Sequence, residues 1–290
     1  MFFRIRNAGL ATFLLLVSFA CNTWASQEPH GDDVLQQKFT VGRGLNQEYL
    51  FQNEVQVRKV LTEYEQILVS EPDNHDVLQK AAYLHYRLGW LYLNGEEKKE
   101  HYFKFFDYIK RAKKIHSDEY YTSLLLAVAK AKIVGYLSSG EQVRMAREMT
   151  QDVEALIEQK GDDPDVLYLM SWINFKIGLI PQIKKVLASA LFGGLPEGMS
   201  TAKAFSLLEN AIQFRPDYIV YQYDLGYYYM KTGNPEMARL QFEEVRSMQP
   251  RSSEGVIYQK RAAGKIRALD KQLASPQEVA RRSNEKDNHS

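Results

Sequence analysis

The stretch GGLPEGMS, residues 193–200, places Gly193 and Gly198 at the spacing of a phosphate-cradling loop. In G-x-x-x-x-G-K-[ST] the backbone N–H groups converge on the phosphates. The lysine reaches the β- and γ-phosphates, and a helix N-terminus faces the anion. Here Met199 stands where the lysine belongs, and Pro196 removes one N–H. The lead-in, IKKVLASALF, has a helical period where the motif needs a strand. The stretch therefore reads as a connector. Gly193 and Gly194 end one helix, Pro196 turns the chain, and Ser200 or Thr201 caps the next. No nucleotide is expected.

The other chemistry-bearing residues are scattered. None of His30, His75, His85, His101, His116 and His289 has a His or Cys partner at metal-ligand spacing. Two acidic stretches, EPDNHD (residues 71–76) and GDDPD (residues 161–165), could attract a cation. Both lie where helices should turn, and neither has the twelve-residue spacing of an EF-hand loop, so they read as turns and N-caps. No Ser, His and acid fall in a nucleophile motif. The expectation is a non-enzymatic protein with no catalytic residues, no metal and no cofactor.

The N-terminus carries a targeting pattern. Arg4 and Arg6 precede the apolar run LATFLLLVSFA, residues 10–20. That run is shorter than the roughly 20 residues of a membrane-spanning helix, and it reads as the core of an export signal. Two processing routes fit. Thr23-Trp24-Ala25 before Ser26 supplies small residues for simple cleavage. Cys21, the only cysteine, sits just after the apolar run, where a lipoprotein carries its acyl group, although Phe19 is bulky for that signal. Either route exports the protein to the periplasm or the exterior, or anchors it at the cell envelope. Membrane attachment is expected only if Cys21 is acylated. One cysteine forms no disulfide within the chain. Without residues 1–25 the charge is close to balanced, with no basic excess to attract nucleic acid.

From Gly44 onward apolar residues recur at three and four, and the breaks are Gly, Asn, Asp and Pro. No stretch alternates with a period of two. The chain reads as all-α, with about ten or eleven helices joined by short turns. Residues 1–25 are the signal, 26–43 a linker and 44–273 the helical body. Residues 274–290 have no apolar period and read as a disordered polar tail.

Helix pairs invite a search for repeats. In DYIVYQYDLGYYYMKTGNPEMARLQFEEVRSMQP, Leu225-Gly226, Tyr229, Ala238, Phe242 and Pro250 match the spacing of the tetratricopeptide repeat. Half-repeats follow in AFSLLENAIQFRP, YRLGWLY and YLMSWIN. The expected fold is a tetratricopeptide-like helical-hairpin solenoid with irregular, insertion-containing repeats. Residues 162–218, with Asp163-Pro164, Trp172 and KKVLASALFG, and LGYYYMKTGNPEMA further on, resemble the regulator of microtubule dynamics family. Weaker similarity runs over roughly residues 55–270. The resemblance implies a tetratricopeptide-type fold. Eukaryotic members associate with microtubules or tether mitochondria to the endoplasmic reticulum, where lipid binding has been proposed. An exported chain does not meet microtubules, so only partner or lipid binding carries over.

Aligning the first helices of three units on Gly89, Ser171 and Gly226 exposes a pattern. The positions three before, one after and four after are Tyr86, Trp90 and Leu93, then Tyr168, Trp172 and Phe175, then Tyr223, Tyr227 and Met230. A fourth helix, aligned on Ala127, gives Leu124, Val128 and Ala131. Each set forms one helical stripe, which such repeats turn toward their concave face. The residues that follow are Asn94, Lys176, Lys231 and Lys132. An aromatic groove edged by lysines suits an apolar body with an anionic end. The leading expectation is a scaffold that binds a protein or peptide partner. The alternative is a carrier of lipid or another apolar small molecule in the same groove, and an aromatic stripe that is simply core is the structural competitor.

Overall fold

A computed structural model describes residues 53–250 and 253–274. Cys21, the export signal, the linker, the polar tail, His30 and His289 lie outside the described residues. The elements are α1 (Glu54–Ser70), α2 (His75–Leu91), α3 (Gly95–Ile115), α4 (Tyr120–Ile133), a 3-10 turn (Val134–Tyr136), α5 (Ser139–Gln159), α6 (Pro164–Gly178), α7 (Gln182–Phe192), α8 (Thr201–Phe214), α9 (Ile219–Lys231), α10 (Pro235–Ser247) and α11 (Ser253–Leu273). No strand occurs among the described residues.

Local chemistry sets these boundaries. The Asn53 and Asn74 side chains accept the N–H groups of Gln56 and Val77, capping α1 and α2. Ser138 and Glu141 form a reciprocal capping box at α5. Asp163 caps α6 by accepting the Asp165 N–H at 2.9 Å, and Pro164 fills the first helical turn, where its missing N–H costs nothing. The acidic turns at residues 71–76 and 161–165 are thus helix stops and caps.

The chain forms two compact units that divide between Leu207 and Leu208, inside α8. In the first unit short turns fold each helix of α1–α5 back on its predecessor, and α6 packs on α5. The helices differ in how much of their surface is covered. Helix α5 buries one stripe, Val143, Ala146, Met149, Val153 and Leu156, at three- and four-residue spacing. Helix α6 is buried all round from Asp165 to Ile177. Helix α7 packs on α5 and fully buries only Ala188. In the second unit α9, α10 and α11 pack on one another around Phe242 and Tyr258.

Candidate functional site

The small residues used to align the units sit where helices touch. A Cβ on Gly89 would lie 2.7 Å from the Tyr102 ring, so α2 and α3 meet there. The Ser171 hydroxyl donates to the Ala204 carbonyl at 2.7 Å, joining α6 to α8. A Cβ on Gly226 would lie 3.0 Å from Phe242, where α9 meets α10. The partner of α6 is therefore α8, and α7 is an insertion within that hairpin. These contacts fix the rotation of α2, α6 and α9, and with it the direction of each stripe.

In the first unit the stripe residues Tyr86, Trp90, Leu93, Tyr168, Trp172 and Phe175 are all buried, as are Leu124, Val128 and Ala131 of α4. Tyr86 and Trp90 stack with ring planes 6° apart and centroids at 6.1 Å. Cations lie over these rings. The Lys132 Nζ sits 5.0 Å from the Tyr86 centroid, which brings the stripes of α2 and α4 together. Arg87 lies 5.8 Å from the Trp90 centroid. Lys176 lies 5.5 Å from the Trp172 centroid, one turn along α6. Lys132 and Lys176 are only 2% and 4% exposed, so each ammonium works in a dry environment where such an interaction contributes up to about 2 kcal/mol. Asn94, by contrast, is exposed.

In the second unit Tyr223 and Tyr227 are buried, Met230 is half-buried and Lys231 is exposed. Tyr223 packs edge-on against Tyr258 of α11 at 4.8 Å and against Phe242 of α10 at 5.1 Å. Burial, with Asp224 beside them, pushes the phenols of Tyr223 and Tyr227 above their ordinary range, so both stay neutral donors. Lys231 lies 5.5 Å from the Tyr227 centroid, the register that Lys176 and Trp172 keep on α6.

Two histidine pairs escaped the sequence. His85 and His101, on α2 and α3, approach with Nδ1 atoms 2.9 Å apart. The His85 Nε2 faces Glu65 Oε1 at 3.2 Å, and the Tyr108 ring stacks on His85. Burial, then His101 and Lys104, lowers the His85 pKa to about 2, so its ring is neutral. With Nε2–H donating to Glu65, the His85 Nδ1 must accept the Nδ1–H of His101. Further out, His75 and His116 meet edge to face at 4.5 Å, and His75 Nε2 lies 3.0 Å from Glu119. They line an open cavity of about 590 Å³ with Ile115, Ser117 and Asp118. No group of three or more His, Cys, Asp or Glu among the described residues has the geometry to hold a metal ion. Their partners are distant in sequence, so residue spacing carries no signal of either pair.

The glycine stretch joins α7 to α8. Gly193, Gly194 and Gly198 all have positive φ. The Gly194 N–H donates to the Ala188 carbonyl at 3.1 Å, closing α7. The Arg147 guanidinium, from α5, donates to the carbonyls of Phe192, Gly193 and Gly194 at 3.3, 2.7 and 3.3 Å. A cation thus occupies the negative end of α7. The Ser200 hydroxyl accepts the Lys203 N–H at 3.1 Å and caps α8.

The hairpins with small residues at their crossings define a tetratricopeptide-type helical repeat protein. The model of the family described as regulator of microtubule dynamics protein 1-3 matches residues 45–270, and the chain belongs to that family. No curated protein matches the chain. Among solved structures it is similar to TTC0263, a thermophilic tetratricopeptide protein of Thermus thermophilus. That match has 14% identity and a TM-score of 0.49, covering 73% of this chain and 91% of the other. YrrB, a tetratricopeptide protein with an unusual peptide-binding site, matches at 14% identity and a TM-score of 0.35, covering 79% and 95%. The human IFIT1 dimer with m7Gppp-AAAA matches at 16% identity and a TM-score of 0.42, covering 76% and 54%.

Proposed function

We propose that the protein is a non-catalytic scaffold acting outside the cytoplasm, whose α9 stripe takes, at its accessible end, a protein or peptide partner with an apolar body and an anionic group. One observation carries this reading. Exposed Lys231 lies over Tyr227 of the α9 stripe, and the same pairing recurs in buried form where Lys132 of α4 lies over Tyr86 of α2 and Lys176 over Trp172 within α6. In the second unit, exposed Lys231 and half-buried Met230 form the accessible entry, with Tyr227 beneath them. There an anion pairs with the ammonium while an apolar group lies along Met230 and the tyrosine. Trp90, Trp172 and Phe175 are the buried floor of the corresponding positions in the first unit.

Peptides selected from a random library on the purified chain are expected to pair apolar residues with Asp, Glu or a free carboxylate. Lys231→Glu should weaken them by about tenfold, a change of about 1.4 kcal/mol. Selected peptides without an anionic group, or unchanged affinity in folded Lys231→Glu, sink the reading. Native mass spectrometry of protein from its own host separates the carrier alternative, since bound lipid in stoichiometric amount would replace the peptide partner. Export is supported by the pattern of residues 4–25. Peptide mapping of the mature N-terminus should find Ser26 or an acylated Cys21, and an intact Met1 overturns export.

A further inference from the structure

Helices α9 and α11 bring two lysines to one level. The short turns after α9 and α10 reverse the chain twice, so α11 runs parallel to α9. The contact of Tyr223 with Tyr258, at 4.8 Å between centroids, sets their register. Lys231 lies eight residues beyond Tyr223, and Lys265 seven beyond Tyr258. At 1.5 Å per residue both sit about 10–12 Å past that contact. Seven residues make almost two turns, so Lys265 shares the side of α11 that Tyr258 turns toward α9. Lys265 is half-buried there, while Lys231 is exposed at the end of α9. The acids of these helices are engaged elsewhere. Asp270 is held by Arg239 at 2.6 Å, and Asp224 lies two turns before Lys231, beside the buried tyrosines. Among the described residues neither lysine has an ion-pair partner. Burial, and then the charge of Lys231, lower the Lys265 pKa, as expected of two amines that face each other.

We infer that Lys231 and Lys265 form one seat with two ammonium groups, which takes a peptide segment carrying two side-chain carboxylates. This rests on the partner site proposed at the end of α9, and it specifies the anionic group that enters there. Two like charges held at one level without a carboxylate create a local positive potential that a bound anion relieves. Each ammonium is a compact point charge on a flexible stem, and neither offers the planar fork that grips one carboxylate with two bonds. Each lysine therefore takes a carboxylate of its own. Packed helix axes lie about 8–10 Å apart. In an extended segment the side chains of residues two apart share a face at about 7 Å, a spacing that the lysine stems can meet from two neighbouring helices. The apolar residue of the same segment lies along Met230 and the Tyr227 ring, beside Lys231.

The test uses the full purified chain and calorimetric titration at low salt with two peptides, acetylated and amidated so that only side-chain acids carry charge. One is Leu-Phe-Asp-Ala-Asp, and the other has Asn in place of the final Asp. The native chain is expected to bind the two-acid peptide about tenfold more tightly. Lys265→Gln should remove that preference, and Lys265→Arg, which keeps the charge, should retain it. Lys271→Gln removes an exposed lysine further along α11 and should leave the preference in place. Circular dichroism checks the fold of each variant. An NMR titration of the lysine amines reads the seat without any peptide, since Lys231→Gln should move the Lys265 pKa up toward its ordinary value. Equal binding of the two peptides, with Lys231→Glu still weakening both, overturns the two-amine seat and leaves the partner site standing. Binding of neither peptide takes both down. A preference lost in Lys271→Gln would mean general charge attraction, and a Lys265 titration indifferent to Lys231→Gln would separate the amines; either overturns the inference.

Discussion

Gly89 and Gly178 both mark close approaches, but against different neighbours. A Cβ on Gly89 meets the Tyr102 ring at 2.7 Å, and that ring can turn aside. A Cβ on Gly178 meets the backbone N of Thr201 at 2.5 Å, which cannot move without shifting α8. Alanine also brings a helix-propensity gain of about 1 kcal/mol inside α2, which offsets part of the clash at Gly89. Gly89→Ala is therefore expected to lose about 1 kcal/mol, and Gly178→Ala about 3 kcal/mol, in urea unfolding. Equal losses would show that backbone and ring yield alike. His85 sets the pH response. Burial holds its folded pKa far below the unfolded value of 6.5, so the unfolded chain takes up the proton first. Stability is thus full above about pH 6.5 and falls as the pH drops, by about 1.4 kcal/mol per pH unit for this ring. The lowered pKa values of His75 and His101, both from burial, act in the same direction. His85→Gln should flatten the slope between pH 6 and pH 4, and an unchanged slope would assign it to other groups.

The helices themselves were legible because their apolar residues recur with the right period and their ends carry Asn, Asp, Gly and Pro. Helix α3 shows the limit. Its periodic run begins near Glu100, yet the helix starts at Gly95, because the polar first turn GEEKK leaves no apolar signal. The crossing residues Gly89, Ser171 and Gly226 were legible as small residues at matching positions. Their stripes were legible as patterns, but burial is a tertiary property, and period alone does not tell Trp172 at 2% exposure from Lys231 in solvent. The orientation of α7 was hidden for the same reason. Periodicity gives a stripe without saying which side faces α5. That orientation depends on the tether at its C-terminus. Arg147→Ala leaves the carbonyls of Phe192, Gly193 and Gly194 without this donor and should cost about 1–2 kcal/mol locally. Hydrogen exchange is expected to speed up at the amide of Gly194 while α6 is unaffected, and unchanged exchange would mean the glycine turn holds α7 by itself.

The two compact units share α8 as a continuous helix, whose residues 201–207 belong to the first and 208–214 to the second. Helical propagation through that element should couple their unfolding. Ser206 is exposed, so Ser206→Pro injures the backbone alone, at about 3 kcal/mol. The native chain is expected to unfold in one urea transition and the proline variant in two; two transitions in the native chain would show the units independent. The approach of Gly178 to Thr201 has another consequence. The chain leaves α6 and, after residues 179–200, returns to almost the same point before entering α8. This excursion is a closed appendage whose removal asks for no movement of the elements it interrupts. Replacing residues 179–200 by a tight Asn-Gly turn should give a shorter chain that keeps the α6–α8 hairpin. The segment is a detachable module, free to vary in length and character while the repeats around it stay in register.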